Sequence, residues 1–144
     1  MTARDPAETV DALVDESVHA LIRAATEARK NAYAPYSRFA VGAAVSTADG
    51  RVFTGCNVEN ASYGLCNCAE RSAVFAAISA GCRPGDLTHL AVIADCEGPV
   101  SPCGACRQVI MELGGPTLIV IQANLRGDIV QTTASQLLPG AFSL

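Results

Sequence analysis

Two short stretches hold the residues best suited to chemistry: Cys68-Ala69-Glu70-Arg71, and Pro102-Cys103-Gly104-Ala105-Cys106. A Cys-x-x-Cys by itself serves zinc, redox centres or nothing. Its placement says more. Cys103 precedes the helical pattern "CRQVIMELGG", and Cys68 opens "CAERSAVFAAISAG", so each cluster lies where a loop enters a helix. Amides at a helix N-terminus favour an anion and lower a thiol's pKa. If the two junctions converge, they offer three or four sulfurs, a normal complement for zinc.

The number of ligands decides what such a metal could do. Four thiolates, from Cys66, Cys68, Cys103 and Cys106, would close the tetrahedron around a structural zinc. Three would leave a position for water and make the centre catalytic. Two sulfurs of a Cys-x-Cys on one ion are awkward when the second begins a helix. Glu70 also favours three, because a carboxylate beside three negative sulfurs is costly unless it is used or paired. Placed there, it could take a proton from water and deliver it elsewhere.

The composition narrows the class. The chain has 144 residues, half of them apolar, which is enough for one domain with its own core. We read residues 1–144 as a single domain, with 1–7 flexible. The net charge of -4 argues against nucleic acid as a partner. No apolar run approaches the roughly 18 residues of a membrane span, and the acidic N-terminal stretch lacks a signal-peptide pattern, so the expected location is the cytoplasm. Seven cysteines in a reducing compartment point to metal or catalysis before disulfides. Only two histidines are present, so a metal site must be mostly thiolate. His19 and His89 read as surface or packing residues, and Cys56, Cys82 and Cys96 as small buried hydrophobes. Cys66 reads as structural or interfacial.

The elements that must position these residues follow from periodicity. Val10, Leu13, Val14, Val18, Leu21, Ile22 and Ala25 mark a helix over residues 8–30 with one buried face, which "NAYAPYSRF" breaks at Pro35. "FAVGAAVST" and "RVFTGCNV" are strands joined by an Asp-Gly hairpin signal, and "ENASYGLCN" is a loop. After the first cysteine helix, "THLAVIAD" and "TLIVIQA" are continuous apolar strands of the buried kind, with a weaker strand "DIVQTT" following. The predicted order is α, β, β, α, β, α, β, β. It implies an α/β fold: a mixed sheet covered by helices on both faces.

Cys-x-Glu followed by Pro-Cys-x-x-Cys is the signature of the zinc nucleoside and nucleobase deaminases. The chain resembles the small homotetrameric cytidine deaminases from about residue 25 to its end, through "AYAPYSRFAVGAA", "GCNVENASYG", "CNCAERSA", "SPCGACRQV" and "LLPGAF" in order. Cysteine in place of histidine as the first ligand matches this branch and not the polynucleotide-editing one. The resemblance implies a three-layer α-β-α sandwich around a five-stranded mixed sheet, one zinc per subunit, and deamination of cytidine and deoxycytidine in pyrimidine salvage.

By the same resemblance, Cys68, Cys103 and Cys106 bind zinc and Glu70 shuttles protons. Arg71 draws charge from the sulfurs. Asn57 and Glu59, which strand alternation puts on one side, hold the ribose hydroxyls. Phe39 packs against the nucleoside, with a core phenylalanine as the competing reading, and Ala69 offers main-chain groups to the base. Tyr63 and Phe142 complete a neighbouring subunit's pocket. Three other readings remain open at this level: deamination of an antibiotic cytosine nucleoside such as blasticidin, a closed four-cysteine structural zinc, and a dithiol oxidoreductase at Cys103 and Cys106.

Overall fold

Apolar runs with no polar alternation must be covered on both faces, and the sheet shows how. In the computed structural model the strands are β1 (Val41–Thr47), β2 (Val52–Cys56), β3 (Leu87–Ala94), β4 (Ile119–Asn124) and β5 (Ile129–Thr133), in the order β2-β1-β3-β4-β5. Only β3 and β4 run parallel; the other neighbours are antiparallel. The structure describes the chain from Pro6 onward and its side chains from Glu16. The side chains of Val10, Leu13 and Val14 on the expected apolar face lie outside those described, as do residues 1–5 of the segment expected to be flexible.

Alternate residues serve opposite faces. Ala44, Ala91, Ile93, Ile121 and Ala123 pack on one side against Val18, Leu21 and Ala25 of α1 (Pro6–Arg29). Ala43, Val45, Leu90, Val92 and Val120 pack on the other against α2 (Ala69–Ser79) and α3 (Gly104–Gly114). A short α4 (Ala134–Leu137) closes this second layer with Ala134 and Leu137. The expected α-β-α sandwich with a mixed five-stranded sheet is the observed fold.

α1 ends at Arg29, beside the expected end at Lys30, because the chain is captured there and not at Pro35. The Lys30, Asn31 and Ala32 amides bond back to residues 27, 28 and 29. Tyr33 then pairs with the far end of the hairpin, its amide donating to the Asn57 carbonyl and its carbonyl accepting from Glu59. Backbone pairing, not proline, stops the helix, and it ties residues 33–39 to the Asn57–Glu59 stretch.

Gly55 sets how close α2 can come to β2. A Cβ there would lie 2.5 Å from the Ala73 amide nitrogen, 2.6 Å from Ser72 Cβ and 2.7 Å from the Ala69 carbonyl oxygen. The first turns of the cysteine helix therefore rest on bare backbone. Gly55→Ala should cost about 1–3 kcal/mol by overpacking, read as a lower melting temperature. An unchanged melting temperature would mean that α2 moves away freely.

Candidate active site

Cys68 and Cys103 are the N-cap residues of α2 and α3, both with extended backbone and neither using its sulfur as a cap. Both sulfurs are thus free to leave the helix ends, and the fold brings the two ends together. Cys68 Sγ and Cys103 Sγ are 3.8 Å apart, and with Cys106 Sγ all three lie within 4.8 Å of one another. Tetrahedral zinc with bonds of about 2.3 Å needs sulfurs roughly 3.8 Å apart. The donor set of three soft thiols fits that ion. It is the one cluster of this kind among the described residues.

Glu70 follows Cys68 by two residues and is 4 % exposed. Cys106 Sγ lies 3.8 Å from its Oε2. Burial pushes the Glu70 carboxyl above its usual range, and the negative charge of Cys68 adds to this. Arg71 Nη2 donates to Cys68 Sγ at 3.3 Å, and this bond raises the already high pKa of the guanidinium. Its Nε is buried with no partner among the described residues.

The sulfurs share a proton unequally. Hydrogen bonding from Cys106, helped by Arg71 and Cys103, holds Cys68 at about 5. The same pairing, with burial, pushes Cys106 up. A dication held by all three sulfurs displaces the protons they still carry.

Cys68, Cys103 and Glu70 line a cavity of about 260 Å³, with Cys106 buried behind them. Its walls bring together most of the residues expected there: Phe39, Asn57, Glu59 and Ala69. Phe39 is 40 % exposed, so the competing core reading does not hold. Asn57 and Glu59 share the cavity although β2 stops at Cys56, because Val58 continues as isolated bridges to Tyr33 and Asn67. Asn57 bridges the opposite wall, with Nδ2 donating to the Phe39 carbonyl at 2.7 Å and Oδ1 accepting from the Val41 amide at 2.8 Å. Glu59 Oε1 accepts from the Tyr36 and Ser37 amides at 2.9 and 3.1 Å. Hydrogen bonds from Ser37 and Tyr36 hold its carboxyl below the usual range. It stays ionised and keeps acceptor capacity beyond these bonds.

Sequence reasoning missed Ser37, Val41, Val100 and Ser101, which also line the cavity. It also passed over Arg38, whose φ of 56° is the one positive value outside glycine among the described residues. That left-handed turn lies immediately before Phe39, and the Phe39 amide donates to Ser37 Oγ at 3.0 Å. The "YSRF" string carried a hint in its serine, whose hydroxyl favours local turns, but arginine gives no signal for a positive φ.

Two expected residues stand apart from this cavity within one chain. Tyr63 is 74 % exposed and meets Tyr36 edge-on at 6.0 Å, beside a second hollow that shares Ser37 and Glu59 with the first. Phe142 is 72 % exposed on the tail beyond α4, where its carbonyl accepts from Gln108 Nε2 at 3.4 Å. Cys66 turns to the loop instead of the cluster: its sulfur accepts from the Asn60 amide at 3.2 Å and faces the Asn60 carbonyl at 3.6 Å. Cys66→Ala should accordingly leave zinc at one per chain by metal analysis. A drop in zinc content would restore the closed four-cysteine site.

Comparison with known proteins gives a consistent picture. Residues 15–122 match the family model described as the cytidine and deoxycytidylate deaminase zinc-binding region. A cytidine deaminase of Sporosarcina psychrophila is 55% identical over 126 residues, covering 88% of this chain and 91% of its own. One from Mycobacterium tuberculosis is 49% identical over 123 residues, covering 83% and 85% respectively. The crystal structure of cytidine deaminase from Burkholderia pseudomallei superposes with a TM-score of 0.85 at 63% identity, covering 86% of this chain and 98% of that one.

Proposed function

The chain belongs to the zinc-binding cytidine and deoxycytidylate deaminase family, and from that premise we propose that it hydrolyses cytidine and deoxycytidine to the uridines and ammonia. The observation that carries this is the buried carboxylate Glu70 beside three converging sulfurs, two of which share a cavity of about 260 Å³ with it. Plain nucleosides are the substrates to which the relatives' names point; an antibiotic nucleoside is the alternative that a two-substrate assay separates.

Cys68, Cys103 and Cys106 would hold the zinc. Bound there, the ion supplies Lewis acidity that brings the pKa of a water down toward neutrality. The rest of the work falls to the protein. Glu70, raised by burial, accepts the proton of the attacking water and passes it to N3 of the pyrimidine as oxygen bonds to C4. The freed carboxylate then takes the remaining proton from the C4 hydroxyl and hands it to the amino group, so that the carbonyl forms as the C4–N bond breaks and ammonia leaves. Three thiolates on a dication leave a net charge of about -1, which weakens its pull on water. Arg71, donating to Cys68, withdraws part of that charge.

Asn57 and Glu59 hold the sugar in this account. Each spends part of its capacity on the backbone of residues 36–41, so the polar wall is rigid before substrate enters. Phe39 supplies the apolar face and Ala69 the main-chain contact to the base. Support for completion of the pocket by a second copy comes from the exposure of Tyr36, Tyr63 and Phe142, large rings with no cover in one chain. We accordingly propose a homotetramer, acting on nucleosides in the cytoplasm as part of pyrimidine salvage. No helix among the described residues is long and apolar enough to cross a membrane. One sheet shared by both core layers supports a single domain over 1–144.

The experiment is to measure ammonia and uridine released from cytidine by the zinc-loaded protein. One of each should form per cytidine consumed. No turnover by protein carrying one zinc per chain would sink the proposal.

A further inference from the structure

Arg107 follows Cys106 and lies in the first turn of α3, where its side chain does not enter the cavity. It makes three hydrogen bonds to three different residues. Nε donates to the Pro102 carbonyl at 2.8 Å, Nη2 to Ser101 Oγ at 2.8 Å, and Nη1 to the Leu137 carbonyl at 2.9 Å. Two of these acceptors belong to the short run that delivers Cys103 to the metal cluster and forms a cavity wall with Val100 and Ser101. The third is the last residue of α4, just before the tail that carries Phe142.

Elsewhere that run is held at its start by Asn124 Nδ2, which donates to the Cys96 and Glu97 carbonyls at 3.2 and 3.1 Å, and by the packing of Val100 on the core. Residues 95–103 carry no regular structure, and the Val100 amide reaches β4 at the Ala123 carbonyl. Pro102 has no amide proton to donate. Its carbonyl would be a buried orphan without Nε, since Pro102 is among the fully buried residues. All three acceptors are neutral, so the arrangement depends on the fork of the guanidinium and not on charge pairing. A lysine ammonium occupies a single point and cannot span three acceptors set in different directions.

We propose that Arg107 is a positioning residue for the reaction: its fork fixes the 101–103 wall against which the base is placed, and joins that wall to the start of the C-terminal tail. This rests on the deaminase reading. Substrate misplacement of about 1 Å can cost roughly 10²-fold in rate, and loss of the fork should act on that scale.

The test compares Arg107→Gln and Arg107→Lys with wild type, with kcat and KM expressed per bound zinc and melting temperature recorded alongside. Both variants should retain zinc, and both should lose about 10–100-fold in kcat with a smaller change in KM. A lower melting temperature with kcat and KM per zinc unchanged would leave only a structural role and overturn the proposal. Full recovery by lysine would assign the effect to charge and overturn it as well. Should neither variant fold, Ser101→Ala deletes one acceptor and leaves the other two bonds. A fall in kcat there supports the proposal, and wild-type kinetics overturn it. The rate of zinc transfer to a chelator is measured on the same proteins, and it should rise in the Arg107 variants because Cys103 is less firmly held. If wild type does not deaminate cytidine, the deaminase reading fails, while unchanged zinc transfer would still tell against Arg107 on its own.

Discussion

Glu70→Gln should keep the fold and one zinc per chain while turnover of cytidine falls by about 10²–10⁴-fold, or roughly 3–5 kcal/mol in the barrier. The substitution is nearly isosteric and removes a carboxyl that is already buried and held above its usual pKa. Stability should not suffer, because a neutral amide in this place avoids the cost of a buried charge beside the Cys68 thiolate. What disappears is the group that relays one proton to N3 and a second to the leaving amine. Turnover within tenfold of wild type, at full zinc occupancy, would remove Glu70 from the proton path.

The second large effect is expected from Cys106→Ala. Cys106 is completely buried, and its loss takes one of three sulfurs from the cluster. Zinc should fall well below one per chain, and turnover to less than about 10⁻³ of wild type, because water without the metal has a pKa near 15.7 and not near 7. The melting temperature should fall too, since bound metal stabilises only the folded state and here links the starts of α2 and α3. Ala is close to Cys in size, so packing alone cannot account for a large loss. Retention of one tightly bound zinc would point to a different ligand set.

Much of the frame was legible because its physics is local. β3 and β4 announced themselves as unbroken apolar runs, which only a sheet covered on both faces produces. Val18, Leu21 and Ala25 gave the helical face that packs on that sheet. The cysteine clusters were legible for a related reason: each begins a helix, and two helix starts laid beside one sheet can meet. Other features depend on contacts that periodicity does not carry. The stretch after α1 is set by Tyr33, which pairs with residues 57 and 59, more than twenty positions away. Ser101 reaches the cavity on an irregular run, and Arg107 looks like an ordinary helix residue until its acceptors at 101, 102 and 137 are seen together. Tyr63 and Phe142 lie away from the cavity of their own chain, so no reading of a single fold could seat them there.

One measurement addresses the three-sulfur zinc centre and Glu70 at its side together. Cytidine absorbance is followed with the zinc-loaded protein, again after zinc is stripped by a chelator, and again after zinc is returned. Conversion to uridine should proceed, stop, and resume, in proportion to bound zinc up to one per chain. Deamination that continues at the full rate in stripped protein would contradict the account.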